Sequence, residues 1–230
     1  MALFAISDLH LPARKKPMDI FGPHWENHFA RIAESWRALV NEDDIVLLPG
    51  DFTWAMHLEE ALEDLQRVGE LPGRKVLLRG NHDYWWSAIG QVRRALPAGM
   101  YALQNDCMEL DGLVFAGSRG WTIPADGNAD PSDVHIYNRE RLRLKMSLEA
   151  AGRIRGDRPI VAMMHYPPLT NALEGFSDIL VDYGVRDCVY GHLHGAALSG
   201  AVRGERNGVY YHQVSCDGLG FELYRVQLHE

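Results

Sequence analysis

A chain of 230 residues can bury one sizeable core and is short for two, and its 47% apolar content suits a folded globule rather than a disordered chain. The formal net charge of -8 argues against a dedicated nucleic-acid or anionic-membrane binder, which needs a basic surface, although a local basic groove stays compatible with it. Three cysteines (Cys107, Cys188, Cys216) without a CxxC spacing, no basic start and no stretch of about 20 apolar residues point to a cytoplasmic protein with no membrane span.

Along the chain, a short apolar run repeatedly ends in a polar or glycine-rich loop. Leu3 to Ile6 runs into Ser7-Asp8-Leu9-His10, Ile45 to Leu48 into Pro49-Gly50-Asp51, and Val76 to Leu78 into Arg79-Gly80-Asn81-His82-Asp83. The pattern returns at Gly117-Ser118-Arg119-Gly120-Trp121, at His165-Tyr166-Pro167-Pro168 and at Gly191-His192-Leu193-His194-Gly195. Continuous apolar runs of this length read as strands buried on both faces.

Helical stripes lie between the runs: Phe29, Ile32, Ala33, Trp36; then Leu58, Ala61, Leu62, Leu65; then Trp85, Ile89, Val92, Leu96; and Leu173, Phe176, Leu180, Tyr183. Asp130-Pro131-Ser132-Asp133 reads as the cap of a further helix reaching about Ala151. Val209 to Val214 and Phe221 to Leu228 read as strands with no helix between them, which favours an antiparallel pair in a mixed sheet. Alternating strands and helices give an α/β class, in which ligands bind beyond the carboxyl ends of the strands, the edge to which the polar loops belong.

Those loops carry Asp8, His10, Asp51, Asn81, His82, His165, His192 and His194. Carboxylate, carboxamide and imidazole are ligands for borderline divalent metals, and no thiolate is among them, which argues against a zinc-finger site. Six or seven such ligands are too many for one tetrahedral ion and suit two ions with positions left open. A bridging carboxylate would then be needed, and Asp51 stands alone in its loop. Two ions about 3.5–4 Å apart clamp the attacking and leaving oxygens of a displacement and make a bound water easy to deprotonate, a chemistry suited to phosphate esters.

In order and spacing, Asp8-Leu9-His10, Gly50-Asp51, Gly80-Asn81-His82-Asp83, His165 and Gly191-His192-Leu193-His194 resemble the motifs of the calcineurin-like metallophosphoesterase superfamily. The resemblance runs from near the start to about Gly195. It implies one metallophosphoesterase domain over residues 1–230, a four-layer α/β/β/α sandwich of two mixed β-sheets flanked by helices. It also implies roles: Asp8, His10 and His194 on a first metal, Asp51 bridging, Asn81, His165 and His192 on a second, and His82 facing the substrate as general acid or phosphate donor. The stretches Gly50 to Met56 and Gly117 to Trp121 further resemble small bacterial metallophosphoesterases of unsettled substrate. The arginine and aspartate that follow the bridging residue in protein serine/threonine phosphatases are missing from Phe52-Thr53-Trp54-Ala55-Met56, which puts phosphoprotein phosphatase activity in doubt.

Each residue also has an ordinary reading. Asp8 suits a turn, Asp51 a helix cap and Asn81 a left-handed turn, and Asp83 is expected to cap a helix starting near Tyr84. His192 and His194 would project to one side if extended. His24, His28, His57, His135, His212 and His229 read as surface or packing residues, and Trp85 as core. Tyr84 or Trp86 could line a pocket for an aromatic base. Trp54 and Trp121 follow functional loops and are candidate substrate contacts, as is Arg119, either a phosphate clamp or a salt-bridge partner. Arg139, Arg141, Arg143 and Lys145 form a solvated helix face or a lip guiding anionic substrate.

The expected activity is hydrolysis of a phosphodiester or phosphomonoester by metal-activated water, with manganese ahead of iron and zinc. A small phosphorylated substrate, nucleotide-like for preference, is expected. The rivals are a non-catalytic scaffold on the same fold, against which all the ligand positions being filled argues, and a manganese-dependent nuclease, against which the overall acidity argues. Residues 118–151 are expected to shape specificity.

Overall fold

A computed structural model describes residues 1–13, 16–124 and 130–229. Eleven strands among the described residues form two sheets whose central members are parallel. The first sheet orders β11 (Tyr224–Arg225), β1 (Leu3–Ala5), β2 (Ile45–Pro49), β3 (Arg74–Leu78) and β4 (Met100–Leu103). β1 to β4 run parallel, and β11 closes one edge antiparallel to β1. The second sheet orders β5 (Cys107–Leu110), β6 (Leu113–Ser118), β7 (Ile160–Met164), β8 (Asp187–Tyr190), β10 (Val209–Gln213) and β9 (Gly204–Arg206). β6, β7, β8 and β10 are parallel, and the edge strands β5 and β9 are antiparallel to their neighbours.

Because side chains alternate across a strand, each sheet feeds two apolar layers. Phe4, Ile6, Val46, Leu48 and Leu77 pack outward on Ile32 and Trp36 of α1 (His28–Leu39), Leu65 and Val68 of α2 (Leu58–Gly69) and Val92 of α3 (Ile89–Ala95). Val114, Ala162 and Cys188 face Leu144, Leu148 and Ala151 of α4 (Pro131–Ile154) and Ile179 of α5 (Ser177–Asp182). Leu3, Ala5, Leu47 and Val76 meet Phe115, Val161, Met163 and Val189 between the sheets. The result is the four-layer α/β/β/α sandwich. Asp130 caps α4 as its sequence suggests, accepting the Ser132 N–H at 2.7 Å. No helix among the described residues is long and apolar enough to cross a membrane.

Three local expectations need correction. The two C-terminal runs do not pair with each other: β10 joins the second sheet and β11 the first, so the chain crosses between sheets after Gln213. α3 starts at Ile89, five residues after Tyr84, so Trp85 is core without being helical. The stripe from Leu173 to Tyr183 is helical only over Ser177–Asp182, with Phe176 packed just before it.

Candidate metal centre

All six polar loops emerge at the carboxyl ends of β1, β2, β3, β6, β7 and β8, and hydrogen bonds run from loop to loop. The Asp8 N–H donates to the Gly50 carbonyl at 3.0 Å, the His10 N–H to the Asp51 carbonyl at 3.0 Å, and the Ser7 N–H to the Val214 carbonyl of the other sheet at 2.8 Å. Asp8, His10, Asp51 and His192 hold φ of 59, 43, 55 and 71°, a left-handed region that side chains seldom adopt. The bend at His192 keeps it from projecting alongside His194, so the two histidines serve different groups. Asn81 keeps an ordinary φ, so it is not in its loop to supply a left-handed turn.

Two ligand groups result. In the first, Asp8, His10 and His194 bring ligand atoms together, with His194 Nε2 3.3 Å from Asp8 Oδ1. In the second, Asn81 Oδ1 lies 2.6 Å from His165 Nε2 and 3.0 Å from His192 Nδ1, and those two nitrogens are 3.2 Å apart. Between the groups stands Asp51, whose Oδ2 is 3.7 Å from His10 Nε2 and 3.6 Å from His165 Nε2. Ligands bonded at about 2.1 Å to one cation stand about 3.0–3.4 Å from one another. The observed spacings bracket that range. Asp8 Oδ1 and His10 Nδ1 are buried without a hydrogen-bond partner, a costly state for a carboxylate oxygen unless a cation is to meet it. The residues present therefore fit divalent ions.

The electrostatics agree. Burial pushes the imidazole pKa of His10 down to about 3 and those of His165 and His192 down to about 4, so all three are neutral and able to ligate at physiological pH. Burial also works against the charge of His194, but its hydrogen bond to the Asp217 carboxylate and the adjacent Asp8 carboxylate overcome it and raise its pKa to about 10. Burial, then the charges of Asp8 and Asp83, push Asp51 well above the carboxylate range. Crowded carboxylates of this kind are relieved by a cation.

The role of Asp83 is not the expected one, and Asp217 joins the site beside it. Asp83 caps no helix. It is fully buried, and its carboxylate accepts the N–H groups of Asp51 (2.9 Å), Phe52 (2.8 Å) and Gly80 (2.7 Å) and the Trp85 indole N–H (2.8 Å). It fastens the β2 loop to the β3 loop. Asp217 went unnoticed in the sequence; it accepts from His194 Nδ1 at 2.8 Å and from the Gly195 N–H at 2.9 Å. The signal was there: Ser215-Cys216-Asp217 follows the apolar run of β10 as the other loops follow theirs.

His82 donates its backbone N–H to Asp51 Oδ1 at 2.8 Å. Its ring lies 4.7 Å from that of Trp54 and 5.8 Å from that of His10, and burial followed by the Lys16 charge lowers its pKa. Trp54 stacks on His10 at 4.8 Å. A cavity of about 350 Å³ opens beside His10, His82 and His194, walled by Trp54, Trp25 and Phe21. Trp86 is buried with its indole bonded to Gln104 and does not reach that cavity, while Tyr84 is half-exposed with its ring centroid 6.2 Å from that of His82. Arg119 and Trp121 stand outside it as well: Arg119 lies 3.7 Å from Glu140, and the Trp121 indole donates to Asp133 at 3.0 Å. Residues 125–129 of the 118–151 stretch lie outside the described residues. Of the remaining histidines, His28 bonds the Leu9 carbonyl, His24 borders the cavity, and His212 and His229 both bond Asp187. The Asp187, His212 and His229 atoms are close enough to hold an ion.

Two parallel-centred sheets between helices carry, on one shared edge, Asp/His groups that could hold metal ions. The calcineurin-like phosphoesterase model matches residues 1–196, and the chain belongs to that family. Gene 66 protein of Mycobacterium phage L5 is 35% identical over 79 residues, 34% of this chain and 37% of that protein, so the match spans little more than a third of the curated relative. Among solved structures, the phosphopantetheinyl hydrolase PptH of Mycobacterium tuberculosis superposes with a TM-score of 0.60 at 17% identity, covering 98% of this chain and 95% of that one. AQ665 of Aquifex aeolicus, a protein of unknown function, does so with a TM-score of 0.52 at 17% identity over 97% and 94%. At such identities the two structures speak for the fold.

Proposed function

We propose that the protein hydrolyses a phosphate ester with two divalent ions, held by Asp8, His10 and His194 on one side and by Asn81, His165 and His192 on the other, with Asp51 between them. The observation that carries this reading is a single oxygen, Asp51 Oδ2, standing 3.7 and 3.6 Å from a histidine nitrogen of each group. Bound there, the ions supply an activated water and neutralise the charge of the phosphoryl group.

The chain's own residues supply the rest. Asp217 fixes the ring of His194 and Asp83 fixes the loop of Asp51, so the ligands hold their places before any ion arrives. His82, its backbone tied to Asp51, offers a ring N–H to the leaving oxygen. Its lowered pKa keeps the ring neutral in the resting protein, and the negative charge of an arriving phosphate ester raises it towards proton donation. Lys16, with its ammonium 3.4 Å from the Trp54 ring centroid, adds positive charge near the same cavity.

A phosphodiester or nucleotide-like substrate suits the aromatic wall of Trp54, Trp25 and Phe21 better than a small phosphosugar. Manganese is the first choice of ion, ahead of iron and zinc. The test is turnover of model mono- and diesters with manganese, together with metal content, for the native protein and Asp51→Asn. Two ions per native chain and at least a hundredfold loss of kcat/KM in the variant are expected. Equal turnover by Asp51→Asn would remove the proposal.

A further inference from the structure

A second concave site lies where the carboxyl ends of β3, β4 and β6 meet α4, about 290 Å³ in volume and lined by Arg79, Arg119, Arg139, Arg143, Glu140 and Ser118. None of the candidate metal ligands borders it. Four guanidinium groups surround a single carboxylate. Three ion pairs fall on the same oxygen, Glu140 Oε1: Arg143 at 2.6 Å, Arg119 at 3.7 Å and Arg139 at 3.9 Å. Arg79 has no ion-pair partner among the described residues, and the Nε atoms of both Arg79 and Arg119 are buried without a hydrogen-bond acceptor.

Buried guanidinium N–H groups left unsatisfied are costly, and an excess of three positive charges in one concavity is repulsive. Both costs are the more notable in a chain of net charge -8. An acidic protein has carboxylates to spare for neutralising arginines, yet one carboxylate stands here. What the cavity lacks is a compact anion with several acceptor oxygens, the chemistry that forked guanidinium donors match best.

We propose that this cavity binds a phosphate group, distinct from the one cleaved. Arg79 leads directly into Gly80-Asn81, and two residues of chain span at most about 7 Å, so the site adjoins the metal centre without sharing its ligands. The phosphate has two sources: free inorganic phosphate acting as an effector, or a second phosphate carried by the substrate.

The test begins with metal-stripped protein and inorganic phosphate, titrated calorimetrically. One phosphate per chain is expected, with affinity falling as salt rises. Arg139→Ala, a half-exposed change, and Arg79→Ala are expected to weaken it tenfold or more, with Asp51→Asn leaving it intact. Arg139→Glu serves as the second variant should Arg79→Ala not fold. Phosphate binding that survives both arginine changes, or is lost in Asp51→Asn alone, overturns the proposal, as does the absence of binding. With manganese-loaded protein, the two sources separate. A KM that rises in Arg139→Ala for a nucleoside bisphosphate, but not for the monophosphate, assigns the site to substrate. An unchanged KM for both, alongside lost phosphate binding, assigns it to an effector. Neither readout in the stripped protein depends on the proposed hydrolysis, so failure of that reading is seen separately.

Discussion

Asp83→Asn is the most informative single change. The Asp83 carboxylate takes four N–H donors at 2.7–2.9 Å, two on each oxygen: Asp51 and Gly80 on Oδ2, Phe52 and Trp85 on Oδ1. An amide keeps one oxygen and replaces the other with a donor, so two of the four donors lose their acceptor whichever way the amide turns. Each hydrogen bond to a charged acceptor contributes about 1.5–3 kcal/mol, which sets the gross loss at about 3–6 kcal/mol. Removing a charge that burial and neighbouring carboxylates disfavour returns part of this, leaving about 3 kcal/mol. A domain of ordinary stability survives such a loss. Urea unfolding of the metal-free protein measures it, and manganese titration of the folded variant should show affinity about 10–100 times weaker, because the Asp51 loop is no longer fastened. A variant within about 0.5 kcal/mol of the native protein, with unchanged manganese affinity, would refute the claim that Asp83 braces the site.

Three further changes probe separate parts of the argument. Gly80→Ala would drive a Cβ into the Asp51 carboxylate and backbone N–H, so manganese binding measured by calorimetry should be lost while helix content by circular dichroism stays native. Asp217→Asn removes the acceptor of His194 Nδ1, and a drop in manganese affinity of about tenfold or more is expected, visible in the same titration. Asp44 is buried and accepts the N–H groups of Ala2 (2.6 Å) and Asn41 (2.8 Å); burial opposes its charge, but these bonds hold its pKa below the usual carboxylate value. A depressed carboxylate stabilises the fold above its unfolded pKa of about 4 and ceases to do so as pH falls through the folded value. Asp44→Asn should therefore cost about 1–2 kcal/mol at pH 7, and the native protein's advantage should shrink as pH falls below the unfolded carboxylate value of about 4, read from unfolding curves across that range.

The six apolar runs that sequence periodicity picks out form six of the parallel strands, β1, β2, β3, β6, β7 and β8, and the loops after them are where the ligand residues gather. That much was legible because a strand buried on both faces needs an unbroken apolar run, and a parallel strand ends at the edge where ligands collect. The C-terminal pairing was not legible. Val209 to Val214 and Phe221 to Leu228 look alike locally, and only long-range packing sends one to each sheet. Asp83 was read as a cap because an acid before apolar residues usually is one. Nothing local reveals that four donors from two loops converge on it. Arg119 shows the same limit: its charge was legible, but not the cluster of arginines it joins.

The left-handed backbone at Asp8, His10, Asp51 and His192 connects fold to chemistry. Each such residue costs of order 1 kcal/mol or more and persists only where its surroundings over-determine it. The amide of every one of the four is engaged by a neighbouring loop: Asp8 by Gly50, His10 by Asp51, Asp51 by Asp83 and His192 by the Asp8 carboxylate at 3.0 Å. The chain of bonds runs from the β2 loop through the β1 loop to the β8 loop, and so from one sheet to the other. Gly191 is part of the same device, since a Cβ there would strike Ser7 and Asp8 where the two sheets' loops meet. Strain that is held this way fixes the direction of each ligand side chain in the absence of any ion. A cation entering the site then gains its bonds without ordering the loops, which concentrates the cost of preorganisation in folding rather than in binding.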